Sequence, residues 1–306
     1  MSTDRREFLQ TVAALGAAEF AAQGQTPSAR TAENERTGYE KYTTLNVKIS
    51  GQVATVTIPN IATLAKPGER PPDEHWELGL LFGDLRGDNR VRVIVITGPG
   101  NGIFHAGLRN RYGNPTARDQ ANEWMNFGGV RRLHQEMAES EKIIVAKVNG
   151  DAIGFGQSLV FSSDLIIAQD DAIIADFHLA MGEIPKYGPD FGIVPGDGGC
   201  ALMPLFMSPA KAKEYLLLGK QYTAAELARA NVINYAVPAA QLDATVDDIV
   251  TRLLKRSAYA LAFAKRVANR RVVHHLNMTL DAAAAYEQVN MLQLEKWGWK
   301  ENRSLL

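Results

Sequence analysis

A single cysteine, Cys200, occurs among the 306 residues. One thiol excludes an intrachain disulfide and any metal site built from several thiolates, and leaves Cys200 as a small buried hydrophobe by default. An excess of either charge is also missing. The 33 Lys and Arg against 34 Asp and Glu give a net charge of −1, and basic runs stop at pairs such as Arg131-Arg132 and Arg270-Arg271. Such a surface has no general attraction for phosphate backbones, so no nucleic acid partner is expected. None of the six histidines stands in an HExxH or similar metal spacing. His274 and His275, adjacent in a helix, project to different faces, so no metal is expected, and no cofactor either. No apolar run is long enough to require a span in a mature protein, and no repeat of fixed period is visible. What remains, 46% hydrophobic and 22% charged with 26 glycines, is the composition of a globular protein with a large core.

The N-terminus departs from that composition. DRREFLQTVAALGAA sets Arg5-Arg6, then Phe8-Leu9, ahead of an alanine-rich apolar run too short to span as a mature helix. This resembles a twin-arginine export signal, which implies periplasmic localisation. The alternative is an amphipathic helix or leader of a cytoplasmic protein. Residues 23 to 40 are polar and poor in branched apolar residues, which predicts a linker, with the folded domain beginning near Tyr42.

Beyond that point the periodicity alternates. LNVKISGQVATVTIP has period-two apolar positions around Ser50-Gly51 and predicts a β-hairpin; DEHWELGLLFGDLRGD has helical spacing; VRVIVITG is a nearly continuous β-branched strand. A second amphipathic helix is predicted over 117 to 140, then strands at IIVAKVNG, DLIIAQ and AIIAD. From Ser208 the pattern is mostly helical: SPAKAKEYLLLG, TAAELARAN, Leu242 to Arg256, Tyr259 to Arg271, and Met278 to Trp297. Strands alternating with helices, followed by helices alone, predict an α/β domain with a helical C-terminal section.

GPGNG follows a strand, but its glycine spacing is wrong for a dinucleotide loop and no amphipathic helix opens after it, so it reads as a turn. Two glycine-bounded segments, GNGIFHAGLRN and VNGDAIGFGQS, each follow a buried strand. Amides freed at such strand ends can converge on one developing oxyanion. Taken with the element order, VRVIVITGPGNGIFHAGLRN and KVNGDAIGFGQSLVFSSDLIIAQDDA resemble the crotonase (enoyl-CoA hydratase/isomerase) superfamily over about residues 43 to 297. The resemblance implies a ββα spiral core over 41–205, a helical trimerisation-type section over 206–306 after the leader and linker of 1–40, and assembly as a homotrimer or hexamer. It places the oxyanion amides on Leu108 and Phe155 and the two hydratase glutamates on Ser158 and His178. Without both carboxylates the usual acid/base addition of water is lost.

HLAMGEIPKYGPDFGIVPGDGG, from His178 to Gly199, holds six glycines and three prolines together with Glu183, Asp190 and Asp197. Long loops punctuated by apolar residues are usually functional. GIVPGDG resembles the matching loop of the 6-oxocamphor hydrolase branch of the superfamily, β-diketone hydrolases that cleave a carbon–carbon bond. That resemblance implies His178 and Asp197 as the pair that activates water, with Glu287 from a late helix nearby. The chain between His178 and Asp197 is long, so Asp190 is the competing carboxylate. As bland alternatives, His178 satisfies a loop carbonyl, Asp197 is a turn residue, Glu287 faces solvent, and Ser158 is packing. The expected function is hydrolysis of a small-molecule diketone. The alternatives are an acyl-CoA hydratase or isomerase, and a non-catalytic binding protein of the same fold. An exported enzyme would not meet coenzyme A thioesters, which favours the first.

Overall fold

A computed structural model describes residues 38–58, 74–100, 102–106, 120–179 and 192–302. The export segment and its linker to residue 37 lie outside the described residues. The first elements are β1 (Asn46–Ser50) and β2 (Val53–Thr57), an antiparallel hairpin turning at Gly51, whose φ of +57° suits a residue without a side chain. After α1 (Glu74–Gly87), β3 (Val93–Thr97) pairs parallel with β2.

From β3 the chain winds as a spiral with two walls. β3, β5 (Ile143–Val148) and β7 (Leu165–Gln169) lie in one sheet; β4 (Gly102–Ala106), β6 (Gly150–Ile153) and β8 (Ile173–Ala175), which follow them in turn, lie in the other. The six-stranded sheet has the order β1-β2-β3-β5-β7-β10, with β10 at Tyr235–Val237, and the four-stranded sheet runs β4-β6-β8-β9, with β9 at Tyr222–Thr223. Gly98 and Asn149 mark two of the passages between walls. The Asn149 amide accepts from Gly98 N at 3.0 Å and donates to Gly98 O at 3.1 Å, imitating a strand partner where both ladders stop. The repeat is one of connection, not of residues, which is why no fixed period appears in the sequence.

The unbroken apolar character of VRVIVITG follows from burial on both faces, as parallel sheets require. Ile94 and Ile96 enter the main core, while Val93 and Val95 pack with Leu242, Val246, Ile249 and Val250 of α7 (Ala239–Leu254). α2 (Gln120–Glu139) packs on α1. α3 (Phe155–Phe161), α4 (Gly199–Phe206), α5 (Pro209–Leu217) and α6 (Ala224–Arg229) are short; in α6 the sequence TAAE forms a capping box, Thr223 and Glu226 each satisfying the other's backbone N–H.

Two predictions need correction. GIFHA and GDAI, expected within loops, are the strands β4 and β6; each is too short and too glycine-bounded for period-two patterning to reveal it. The helical segments expected at Tyr259–Arg271 and Met278–Trp297 are divided elsewhere, as α8 (Ala258–Ala268) and one continuous α9 (Arg270–Asn302), because no glycine or proline interrupts residues 270 to 297. α9 packs on α2 and α4 through Leu276, Leu280, Ala283, Ala284, Glu287 and Met291, all buried.

Candidate active site

Three segments meet at one buried point. β8 leads directly into Asp176-Phe177-His178; Asp176 Oδ1 accepts from the backbone N of His178 at 3.0 Å and meets ring Nδ1 at 2.8 Å. The ring is stacked on Phe177, with centroids 5.1 Å apart. The backbone carbonyl of His178 accepts from Ile193 N at 2.7 Å, so the chain returns to His178 and brings Asp197 beside it. Asp197 Oδ2 lies 3.3 Å from His178 Nε2. From α2, His134 Nε2 lies 2.8 Å from the Asp197 carbonyl, and Ser162 Oγ lies 2.6 Å from His134 Nδ1. A carbonyl only accepts, so Nε2 carries the hydrogen and Nδ1 of the neutral ring accepts from the serine hydroxyl. Burial pushes His134 down to about 4 against the opposing effect of its hydrogen bond to the Asp197 carbonyl, which keeps this ring neutral.

The PGDG turn has glycines where neighbours come close. A side chain at Gly196 would meet Glu287 Oε2 and the Ala283 carbonyl at 2.6 Å, and one at Gly199 would meet Asp176 Oδ2 at 2.1 Å. Gly196 therefore lets α9 approach the site, and Gly199 lets the turn lie against Asp176.

The charges are interdependent. Burial alone would lower the basicity of His178, but Asp197 and Asp176 on opposite sides outweigh it and hold the imidazole well above its ordinary 6.5. Burial alone would raise Asp197, but the attraction and hydrogen bond of His178 hold it below its ordinary 3.8. The resting state is an imidazolium between two carboxylates, and in that state the ring has no lone pair with which to accept a proton. The three residues offer ligand atoms within 4.8 Å of one another, and each ring nitrogen faces a carboxylate.

Phe155, expected to supply an oxyanion amide, opens α3 directly after Gly154, whose φ of +59° and contact with Phe177, at 2.1 Å from any added side chain, admit only glycine. Its ring lies 4.1 Å from that of His75 and 5.4 Å from that of His105, centroid to centroid. His105 Nε2 in turn is 3.1 Å from Glu74 Oε2, and all four side chains are buried.

Residues 75–296 match the Enoyl-CoA hydratase/isomerase family. The chain belongs to that family. It is 30% identical over 192 residues to a carnitinyl-CoA dehydratase of Escherichia coli, covering 63% of this chain and 69% of the relative. An enoyl-CoA hydratase/isomerase from Mycobacterium paratuberculosis superposes with a TM-score of 0.68 at 29% identity, over 81% of this chain and 93% of that one. A beta-diketone hydrolase from the cyanobacterium Anabaena, solved with (S)-3-oxocyclohexyl acetic acid, superposes with a TM-score of 0.70 over 86% of this chain and all of the other, at 21% identity. That last likeness shows the crotonase fold alone.

Within this family member the structure brings His178 and Asp197 together and adds Asp176, which sequence reasoning missed. The available signal was Asp-x-His at the end of a buried strand, a spacing at which a carboxylate reaches both the backbone N–H and ring of the following histidine. Asp176 occupies Nδ1 and so orients the ring toward Asp197. Ser158, read as packing, is 3.3 Å from Asp197 Oδ1. Glu287 faces inward and is 7% exposed, against the solvent-facing alternative. Leu108 and Asp190 lie outside the described residues. Cys200 is half-buried, and burial pushes its thiol up to about 11.

Proposed function

We propose that this crotonase-family protein hydrolyses a carbon–carbon bond of a β-diketone, with Asp176, His178 and Asp197 as its proton-handling unit. The observation that carries the reading is that His178, where the family resemblance puts a hydratase glutamate, is ion-paired on both sides by Asp176 and Asp197. Asp176, His178 and Asp197 together carry one net negative charge and accept one proton as a unit. Water bound beside Asp197 adds its oxygen to one carbonyl carbon of the diketone while its proton passes to the unit. The tetrahedral oxyanion is held by backbone N–H groups at Phe155 and Leu108. Its collapse breaks the bond to the central carbon, whose electron pair leaves as an enolate stabilised by the second carbonyl. The proton held by the unit then returns to that carbon, giving a carboxylic acid and a ketone. His178 acts here as an imidazolium that stabilises the negative charge of Asp197.

A second reading has a specific support. Relatives at 29–30% identity are a carnitinyl-CoA dehydratase and an enoyl-CoA hydratase/isomerase, so a CoA thioester is the alternative substrate class. Incubating the purified protein with cyclic and linear β-diketones and with acyl-CoA thioesters separates the two. Carboxylate products from a diketone support the first reading; turnover of thioesters without diketone cleavage replaces it with the second.

A further inference from the structure

The carboxylate oxygens that His178 does not use are also held, one by Gln157 and the other by Ser158, which Gln157 holds in turn. Gln157 is fully buried. Its Nε2 lies 3.3 Å from Asp176 Oδ2 and 3.0 Å from Ser158 Oγ, and Ser158 Oγ lies 3.3 Å from Asp197 Oδ1. His178 uses the other oxygen of each aspartate, Oδ1 of Asp176 and Oδ2 of Asp197. Asp176, His178, Asp197, Ser158 and Gln157 therefore close a circuit.

Its polarity is forced. Ionised Asp176 and Asp197 only accept, so Gln157 must present its nitrogen and not its oxygen to Asp176, and Ser158 must donate its hydrogen to Asp197 and accept from Gln157. The two hydrogens of one amide nitrogen meet both demands. The consequence is visible on the other half of the amide: Gln157 Oε1 is buried and has no hydrogen-bond partner among the described residues. An apolar side chain of the same length would fill the space without leaving a carbonyl unsatisfied, so packing does not account for a glutamine here.

We infer that Gln157 is a positioning residue that holds Asp176 directly, and Asp197 through Ser158, against His178. The inference rests on the proposed role of the Asp176–His178–Asp197 unit. Losing the two hydrogen bonds that Gln157 donates frees Asp176 directly, and Ser158 beside Asp197, to move away from His178, and leaves Asp197 less firmly held in its charged form. Other titratable groups around the circuit are His75 from α1, His134 from α2, Cys200 from α4, Tyr215 from α5 and Glu287 from α9; none is altered by changing Gln157.

The test uses the full chain with Gln157→Met and Ser158→Ala, read by nitrogen-15 NMR of labelled histidines across pH, the His178 signals being those lost in His178→Ala. In folded Gln157→Met the His178 N–H resonances should move, and the pH at which they collapse on acidification should rise by about one pH unit. Ser158→Ala should move them in the same direction by less. With a diketone that is turned over, kcat should fall at least tenfold while KM changes less than about twofold, and the acid limb of kcat should follow the NMR shift. Unmoved His178 resonances in a folded Gln157→Met, with only a lower Tm, would overturn the inference; if that variant does not fold, Ser158→Ala decides by the same readout. Because the NMR measurement needs no substrate, it stands or falls separately from the diketone reading.

Discussion

Replacing Asp176 by asparagine removes one charge and almost no volume from the centre of the site. Two unit charges roughly 4 Å apart at an effective dielectric of about 20 attract by about 4 kcal/mol. The asparagine oxygen can keep the bonds to the His178 backbone N and Nδ1, but its amide then confronts Gln157 Nε2, donor against donor, where Asp176 Oδ2 had accepted at 3.3 Å. Gly199 packs too closely for the side chain to swing away, since an added atom there would sit 2.1 Å from Oδ2. Allowing for the retained bonds, the expected loss is about 3 kcal/mol, at the lower end of the range for breaking a buried ion pair. For a chain of this size that is a fall in Tm of roughly 6–12 °C. His178 is more basic folded than unfolded, so its contribution is full below its ordinary pKa of 6.5 and is lost as pH rises through the raised native value. The Tm deficit of Asp176→Asn should therefore be largest near pH 6 and shrink as the medium becomes alkaline, as measured by thermal unfolding of both proteins across pH. A deficit within about 2 °C at pH 6, or one that grows with alkalinity, would refute the assignment of Asp176 as the charge partner of His178.

Other outcomes follow from the same geometry. His178→Ala and Asp197→Asn should each lower kcat far more than they raise KM, and the double variant should be scarcely worse than the poorer single one; additive losses would separate the two roles. Gly154→Ala should cost about 2–4 kcal/mol, because a side chain there combines a glycine-only backbone conformation with a collision at the Phe177 ring, and a Tm unchanged by the substitution would count against the fold of this loop. Tyr259, Phe263 and Val267 on α8 are 77%, 59% and 73% exposed at four-residue spacing, and with the family resemblance they lead us to expect a mass in solution of three or six chains by light scattering, where a monomer would contradict it. Changing Arg5 and Arg6 to lysine should block export if the N-terminus is a twin-arginine signal; full-length protein wholly in the cytosol of its host would rule that out.

The parts of the fold carried by long patterns were legible. β3 announced itself by β-branched continuity, the hairpin by alternation about Ser50-Gly51, and α7 by apolar positions at helical spacing. Short strands such as β4 and β6 were not, because four or five residues bounded by glycine carry no period, and their identity is fixed by pairing with each other. In the site, His178 and Asp197 came from loop composition and family resemblance, while the 19-residue separation between them made their meeting doubtful. The bond from Ile193 N to the His178 carbonyl brings Asp197 beside His178, and it is a long-range backbone contact no side-chain pattern encodes. Asp176 and Gln157 were missed for opposite reasons: Asp176 looked like the polar end of a strand, and Gln157 acts only through neighbours that come from other segments.

A site that directs water onto a diketone carbonyl must leave an oxygen from water in the acid it forms. Turning over a β-diketone in oxygen-18 water with the wild-type protein and with Asp197→Asn, and weighing the products by mass spectrometry, tests it most directly. We expect the wild type to place one heavy oxygen in the new carboxylate and Asp197→Asn to yield product at a rate lower by at least about a hundredfold. Cleavage at an undiminished rate in Asp197→Asn, or no cleavage of any diketone by a wild-type protein that turns over a CoA thioester, would contradict it.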